Sequence, residues 1–309
     1  MQALNSVLPI LIALGLGIIS SRYLLPVYVV YRMVRLISPL VWALLFLVGA
    51  EFGAVVSSLE AVAYVLQISS LIAIFTTALP CLLLVGLAVL IHPPQVRKDR
   101  KRVDIHAMAA PLKECSIALL LVTLGVLLNK VSAQMESIVG SLWLPSSHHL
   151  LIGLIFLVGL DLSSIKPGRG WVSWDALSVP LTVVVGSMLG AYSVHLITGE
   201  DIRLLLALST GFGWFTLSSV MIGGLSGEVH GAVALLVDLG RELISIVLLY
   251  LLGGPCPRVG IAAAGATALD STLPIVRQTC SADSLPVALL SGFILTLLAP
   301  FFITLFLTI

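Results

Sequence analysis

Charge is what this sequence has least of. Of its 309 residues 10% are charged and 59% hydrophobic, against roughly 25% charged in soluble globular domains. That balance excludes a soluble domain and implies an all-α integral membrane protein. The formal net charge of +1, with the basic residues gathered at the ends of apolar segments, excludes a nucleic-acid groove. The four cysteines, Cys81, Cys115, Cys256 and Cys280, form no CxxC pair, so neither a disulfide framework nor a metal knuckle is indicated. The histidines lack HExxH spacing. The glycine-rich stretches GFGW and IGGLSG lack the strand and helix context of a phosphate loop. No metal, nucleotide or other cofactor is expected, and no enzyme activity. The opening MQALNSVLPILIALGLGIIS lacks the basic n-region and cleavage site of a secretory signal, so it reads as a retained first span.

What is present is apolar length. A span needs about 20 mostly apolar residues. Punctuation by Pro, Gly and charge gives ten segments, near 5–25, 36–56, 62–91, 112–130, 148–165, 175–198, 203–224, 230–252, 258–278 and 285–308. The seventh and ninth, with TGFGWFTLSS and GATALDSTLP, carry the weakest apolar signal; as re-entrant or broken helices they would leave eight full spans. All 309 residues fit one transport domain. Alternating the ten segments puts Arg22, Arg32, Arg35, residues 97–102, Lys113, Lys166, Arg169 and Arg277 on one side, and Lys130, Arg203 and Arg258 on the other. Cytoplasmic loops carry the excess of Lys and Arg. The loop PPQVRKDRKRVDIH is therefore placed in the cytoplasm and both termini outside it.

Against this background the intramembrane acids stand out. An ionised side chain at bilayer depth costs from about 3 to above 10 kcal/mol, so it usually marks a pathway for a cation or proton. Asp238, Arg241 and Glu242 fall at i, i+3 and i+4 in AVALLVDLGRELISIVLLYLL, on one helical face that must look into the protein. Asp238 and Arg241 can form a structural ion pair, which leaves one carboxylate of the face for function. Asp270 lies in GATALDSTLP, where Gly265, Thr267, Ser271, Thr272 and Pro274 weaken regular helix; Pro274 is expected to free nearby carbonyls that, with the carboxylate, suit a cation. Thr210, Gly211 and Gly213 permit a similar break in the seventh segment. Exposed N–H groups at its half-helix start would favour a substrate carboxylate. Acids on one side of a midplane pocket and helix-terminal donors on the other fit a zwitterion with an extra positive charge.

The stretch LLFLVGAEFG at 44–53 returns as LIFLVGLDLS at 154–163, with Glu51 answering Asp161. The two copies lie three segments apart. They would therefore cross in opposite senses, relating about 1–95 to 110–200 as the inverted repeat of a secondary transporter. Glu51 and Asp161 are candidate gate acids at opposite faces, unless both simply reach headgroups or water.

The motifs LALSTGFGWFTLSSVMI, VDLGRELISIVL, GATALDSTLPIVRQT and SGFILTLLAPFFI, ordered over 205–309, resemble those of the LysO (YbjE-type) lysine exporters. The first hundred residues match mainly in hydropathy. The resemblance implies export of L-lysine and of toxic analogues such as thialysine across a prokaryotic inner membrane, on a fold with crossed broken helices. It also implies that Glu242 and Asp270 are the family's intramembrane acids and that Asp238 and Arg241 belong to its DLxRE segment. Lysine and a proton competing for Glu242 and Asp270 would give alternating-access antiport. A sodium/proton exchanger uses the same features, and an intramembrane aspartyl enzyme would need Asp238 and Asp270 as a dyad. The expected partners are lysine, the proton and the bilayer, with homo-oligomerisation left open.

Overall fold

The computed structural model describes residues 2–55, 59–91, 105–139, 147–162 and 174–308. Every regular element among them is helical: α1 (Gln2–Ile19), α2 (Val27–Val34), α3 (Ile37–Val55), α4 (Leu59–Ile91), α5 (Ile105–Val139), α6 (Ser147–Leu162), α7 (Trp174–Thr198), α8 (Ile202–Ser209), α9 (Phe215–Ser226), α10 (Glu228–Leu252), α11 (Pro257–Ala264), α12 (Leu273–Thr279) and α13 (Leu285–Thr308), with short 3₁₀ and π turns between some of them. Helices are what a bilayer demands, because no water is available inside it to satisfy open backbone groups. Four stretches among the described residues are long and apolar enough to cross a membrane. Large side chains such as Leu82, Leu196 and Leu251 point outward, as a lipid-facing surface requires. The chain is an all-α polytopic membrane protein. The basic run 97–102 lies outside the described residues.

The helices coincide with the ten apolar segments, with α2 an added short helix whose Tyr28 and Tyr31 are exposed. Arg35 stacks over the Tyr31 ring at 4.5 Å and donates to its hydroxyl at 2.8 Å, an aromatic and basic pairing suited to a membrane interface.

Glycine sets the closest helix contacts. A methyl at Gly49 would strike the Val122 backbone of α5, and one at Gly125 the Phe46 carbonyl of α3. In the same way Gly159 of α6 lies on the Leu14 carbonyl of α1, and Gly17 on the Phe156 carbonyl. Between α4 and α7, Gly186 backs on Pro80 and Gly190 on Thr76. Small residues at such crossings let dispersion hold helices together where no hydrophobic drive exists between them.

The seventh and ninth segments are hairpins. Before α8, Glu200 lies beside the Tyr64 hydroxyl, and just after α9, Glu228 lies beside Glu51. Both ends of the first hairpin are therefore at the end of the molecule where α3 gives way to α4. At the other end of α10, the Tyr250 hydroxyl donates to Gln278 Oε1 at 3.2 Å, and Gly253 packs on Thr279 close to where α11 begins. The two hairpins thus enter from opposite ends of α10, and their tips meet where Ala266 N–H donates to the Phe212 carbonyl at 2.8 Å. This moves Arg258, at the start of α11, to the end that carries Arg277; strict alternation of ten segments had separated them. The Cys81 thiol, far along α4, reaches the Val259 carbonyl at 3.7 Å and agrees with that placement.

Candidate functional site

Both hairpin tips depend on backbone that ordinary residues avoid. Gly213 (φ +97°) turns the first tip and Gly265 (φ +63°) the second, and Phe212 is held at φ +53° between them. No side chain fits at Gly265, whose Cβ would press on the Phe212 carbonyl. The break in the ninth segment therefore starts at Gly265 and the 3₁₀ turn after it, and Pro274 sits harmlessly in the first turn of α12. Two of the carbonyls near Asp270 are taken by backbone N–H groups. The Thr267 carbonyl accepts from the N–H groups of Asp270 and Thr272, both at 3.1 Å, and the Asp270 carbonyl from Leu273 at 3.1 Å.

Asp238, Arg241 and Glu242 do share one inward face of α10, and each is only 1% exposed. Asp238 and Arg241 lie close enough to interact through charge, but neither hydrogen-bonds the other. Asp238 Oδ1 accepts the Gly213 N–H at 2.8 Å and Oδ2 the Ser218 hydroxyl at 2.5 Å, so it caps the start of α9. Gly211 must be glycine because any Cβ would collide with that carboxylate. Arg241 Nη1 instead donates to the Ser187 hydroxyl at 3.2 Å and to the Ser209 carbonyl, the last of α8, at 3.4 Å. Each charge serves an opposite pole of the broken segment, consistent with the helix dipole. The protein's own Asp238 thus occupies the break just before α9, while Trp214 and Thr216 at the start of that helix face the cavity.

Glu242 faces elsewhere. It lines a cavity of about 780 Å³ together with Asp270 and Asp161, well within the roughly 300–1,000 Å³ of small-molecule sites. Gly213, Thr267, Ser271 and Pro274 contribute to the same wall, while Thr210, Gly211 and Thr272 do not. The Thr210 hydroxyl turns back to the Ala207 carbonyl at 3.1 Å, and Thr272 lies 3.2 Å from the Thr267 hydroxyl behind the wall. Asp270 was expected to be buried, yet it is exposed into this space, with Oδ1 accepting the Ser271 N–H at 2.6 Å. Asp238 does not line the cavity that Asp270 lines, so the two form no shared dyad of the aspartyl-enzyme kind. Of the two gate acids only Asp161 belongs to the cavity; Glu51 lies beside Glu228 at the opposite end.

Sequence reading missed three contributors. Arg277 had been counted only as a topology signal, yet it lines the cavity, as do Trp214 and Thr216 at the start of α9. The FGWFT stretch beside the glycine break was the signal that could have found the last two.

The lysine exporter LysO family model matches residues 119–307, an interval that includes both hairpins, α10 and α13. The chain belongs to that family. It is 36% identical over 163 residues to the lysine exporter LysO of Escherichia coli strain K12, covering 52% of this chain and 54% of that protein. A Haemophilus influenzae protein whose description also names a lysine exporter is 32% identical over 163 residues, covering 52% of this chain and 84% of its own length. No solved structure matches. The Glu51 copy of the repeat precedes the matched interval, whereas Asp161, Asp238, Arg241, Glu242 and Asp270 fall inside it.

Proposed function

We propose that this protein exports L-lysine, and analogues such as thialysine, across the inner membrane in exchange for protons, by alternating access. The observation that carries the proposal is the cavity between the hairpin tips, α3 and α6, in which three carboxylates, Glu242, Asp270 and Asp161, face one guanidinium, Arg277. Lysine brings two ammonium groups and one carboxylate, which pair with two of the acids and the guanidinium and leave the third acid for a proton. Protons and the ammonium groups compete for the same carboxylates, so binding of one expels the other, and that competition is the coupling.

On this reading the eight full-length helices span the bilayer and the two hairpins re-enter it from opposite faces. Six of the seven helices before the hairpins, α1 and α3 to α7, form an inverted repeat. Its support is that the Gly49–Val122 and Gly125–Phe46 contacts become the Gly159–Leu14 and Gly17–Phe156 contacts when α3 is exchanged with α6 and α5 with α1. The end of the molecule bearing Arg35, Arg258 and Arg277 is cytoplasmic by the excess of basic residues, which leaves both termini outside and the cavity open to the cytoplasm. Irregular backbone at this depth is tolerated where it lines a cavity.

The test is uptake of labelled lysine into inside-out vesicles. The proposal requires wild-type uptake driven by a proton gradient and its loss in Glu242→Gln. Uptake by Glu242→Gln at the wild-type rate would remove the site, and absence of uptake by wild type would remove the substrate.

A further inference from the structure

The Arg241 guanidinium is almost wholly buried, and its Nη1 alone accounts for its hydrogen bonds, to Ser187 and to the Ser209 carbonyl. Its Nε and Nη2 are buried without an acceptor. A cation kept at this depth with two donor nitrogens unused is not explained by hydrogen bonding. The surroundings explain it by charge. The carbonyl end of α8 terminates on Nη1. The second hairpin brings the carbonyl end of α11 to the same place, since a Cβ on Gly265, the residue that ends α11, would lie 3.4 Å from Nη2. A helix carboxyl end carries roughly half a negative charge, so two of them converging in a dry crossing present about one full negative charge. One guanidinium offsets it. Asp238 is a neighbouring opposite charge, but both its oxygens are committed to the Gly213 N–H and the Ser218 hydroxyl and neither bonds Arg241.

We infer that Arg241 is the resident cation of the hairpin crossing, a covalently attached substitute for the metal cation that two converging carbonyl ends would otherwise recruit, so that lysine movement needs no sodium. The inference rests on the proposed function for its transport readout only. Asp238, Cys81, Ser187 and Ser209 are the polar groups that surround the guanidinium, and none of them belongs to the cavity lining. The crossing cation and the cavity acids are thus separate devices, one fixed and one exchangeable.

Two measurements test this. In proteoliposomes, counterflow of labelled lysine by wild type is expected to stay the same when sodium is replaced by choline on both sides. Saturable stimulation by sodium would overturn the inference. In detergent, Arg241→Ala is expected to melt well below wild type and to be restored in part by low, non-denaturing guanidinium or by sodium, which should leave wild type unmoved. Arg241→Lys should lie much closer to wild type. An Arg241→Ala protein that melts like wild type and ignores both cations would contradict the assignment. If Arg241→Ala does not fold, the sodium comparison on wild type decides alone. The melting response does not involve lysine, so a wild type that moves no lysine but shows it would sink the substrate reading and leave the crossing assignment standing.

Discussion

Asp238 and Glu242 stand one helical turn apart on α10 and are equally buried, yet they answer to different parts of the molecule. Asp238 is tied to the first hairpin by a backbone N–H and a hydroxyl; Glu242 looks into the cavity with Asp270, Asp161 and Arg277. The difference teaches that burial alone does not mark a transport carboxylate. What separates the two is whether the neighbouring wall is a helix end that the acid caps or a space that a ligand can enter.

The sharpest way to break this contrast is to remove the capping acid. Asp238→Ala leaves the Gly213 N–H and Ser218 hydroxyl without their acceptor and Arg241 without its neighbouring counter-charge. A loss of about 3–5 kcal/mol is expected for an uncompensated buried charge, seen as a large drop in melting temperature and in yield of folded protein. Gly211→Ala should follow at a smaller cost, of order 1–3 kcal/mol for overpacking, because its new methyl meets the Asp238 carboxylate. The cavity acids should behave in the opposite way. Glu242→Gln is expected to melt within about 1 kcal/mol of wild type, as isosteric changes at cavity walls do, while proton-coupled lysine uptake falls to background. For Arg277→Gln the expectation is retained folding and roughly tenfold weaker lysine binding, about 1.4 kcal/mol, with smaller discrimination against cadaverine, which lacks the carboxylate that Arg277 would hold. The smallest effects are assigned to the repeat acids. Asp161→Asn should alter the apparent affinity for lysine by a few-fold, and Glu51→Gln, outside the cavity, should leave uptake unchanged; the reverse order would show that the outer end holds the site in the resting state.

Much of this was legible in the residues, and the parts that were not share a cause. The apolar segments, the breaks at Gly213 and within GATALDSTLP, and the common face of Asp238, Arg241 and Glu242 follow from helical period and from the conformational range of glycine, which are local properties. The partners of Asp238 and Arg241 are not local. Their i, i+3 spacing suggests an ion pair, and only the turning back of α8–α9 puts a helix start against one and a helix end against the other. Arg258 was assigned to the wrong end for the same reason, since alternation assumes that every segment crosses. Asp270 was expected to be buried because its flanks are apolar; it faces a cavity assembled from α3, α5, α6 and α13 as well as the hairpins, which no single segment reveals. Phe212, held at positive φ where glycine would be expected, carries no sequence signal at all.

Transport by this protein hinges on whether the cavity carboxylates carry the cation. The most direct measurement is counterflow of labelled lysine in proteoliposomes by Asp270→Asn, made alongside its melting temperature. An unchanged melting temperature with counterflow reduced to background is predicted; an unchanged melting temperature with counterflow at the wild-type rate would contradict it.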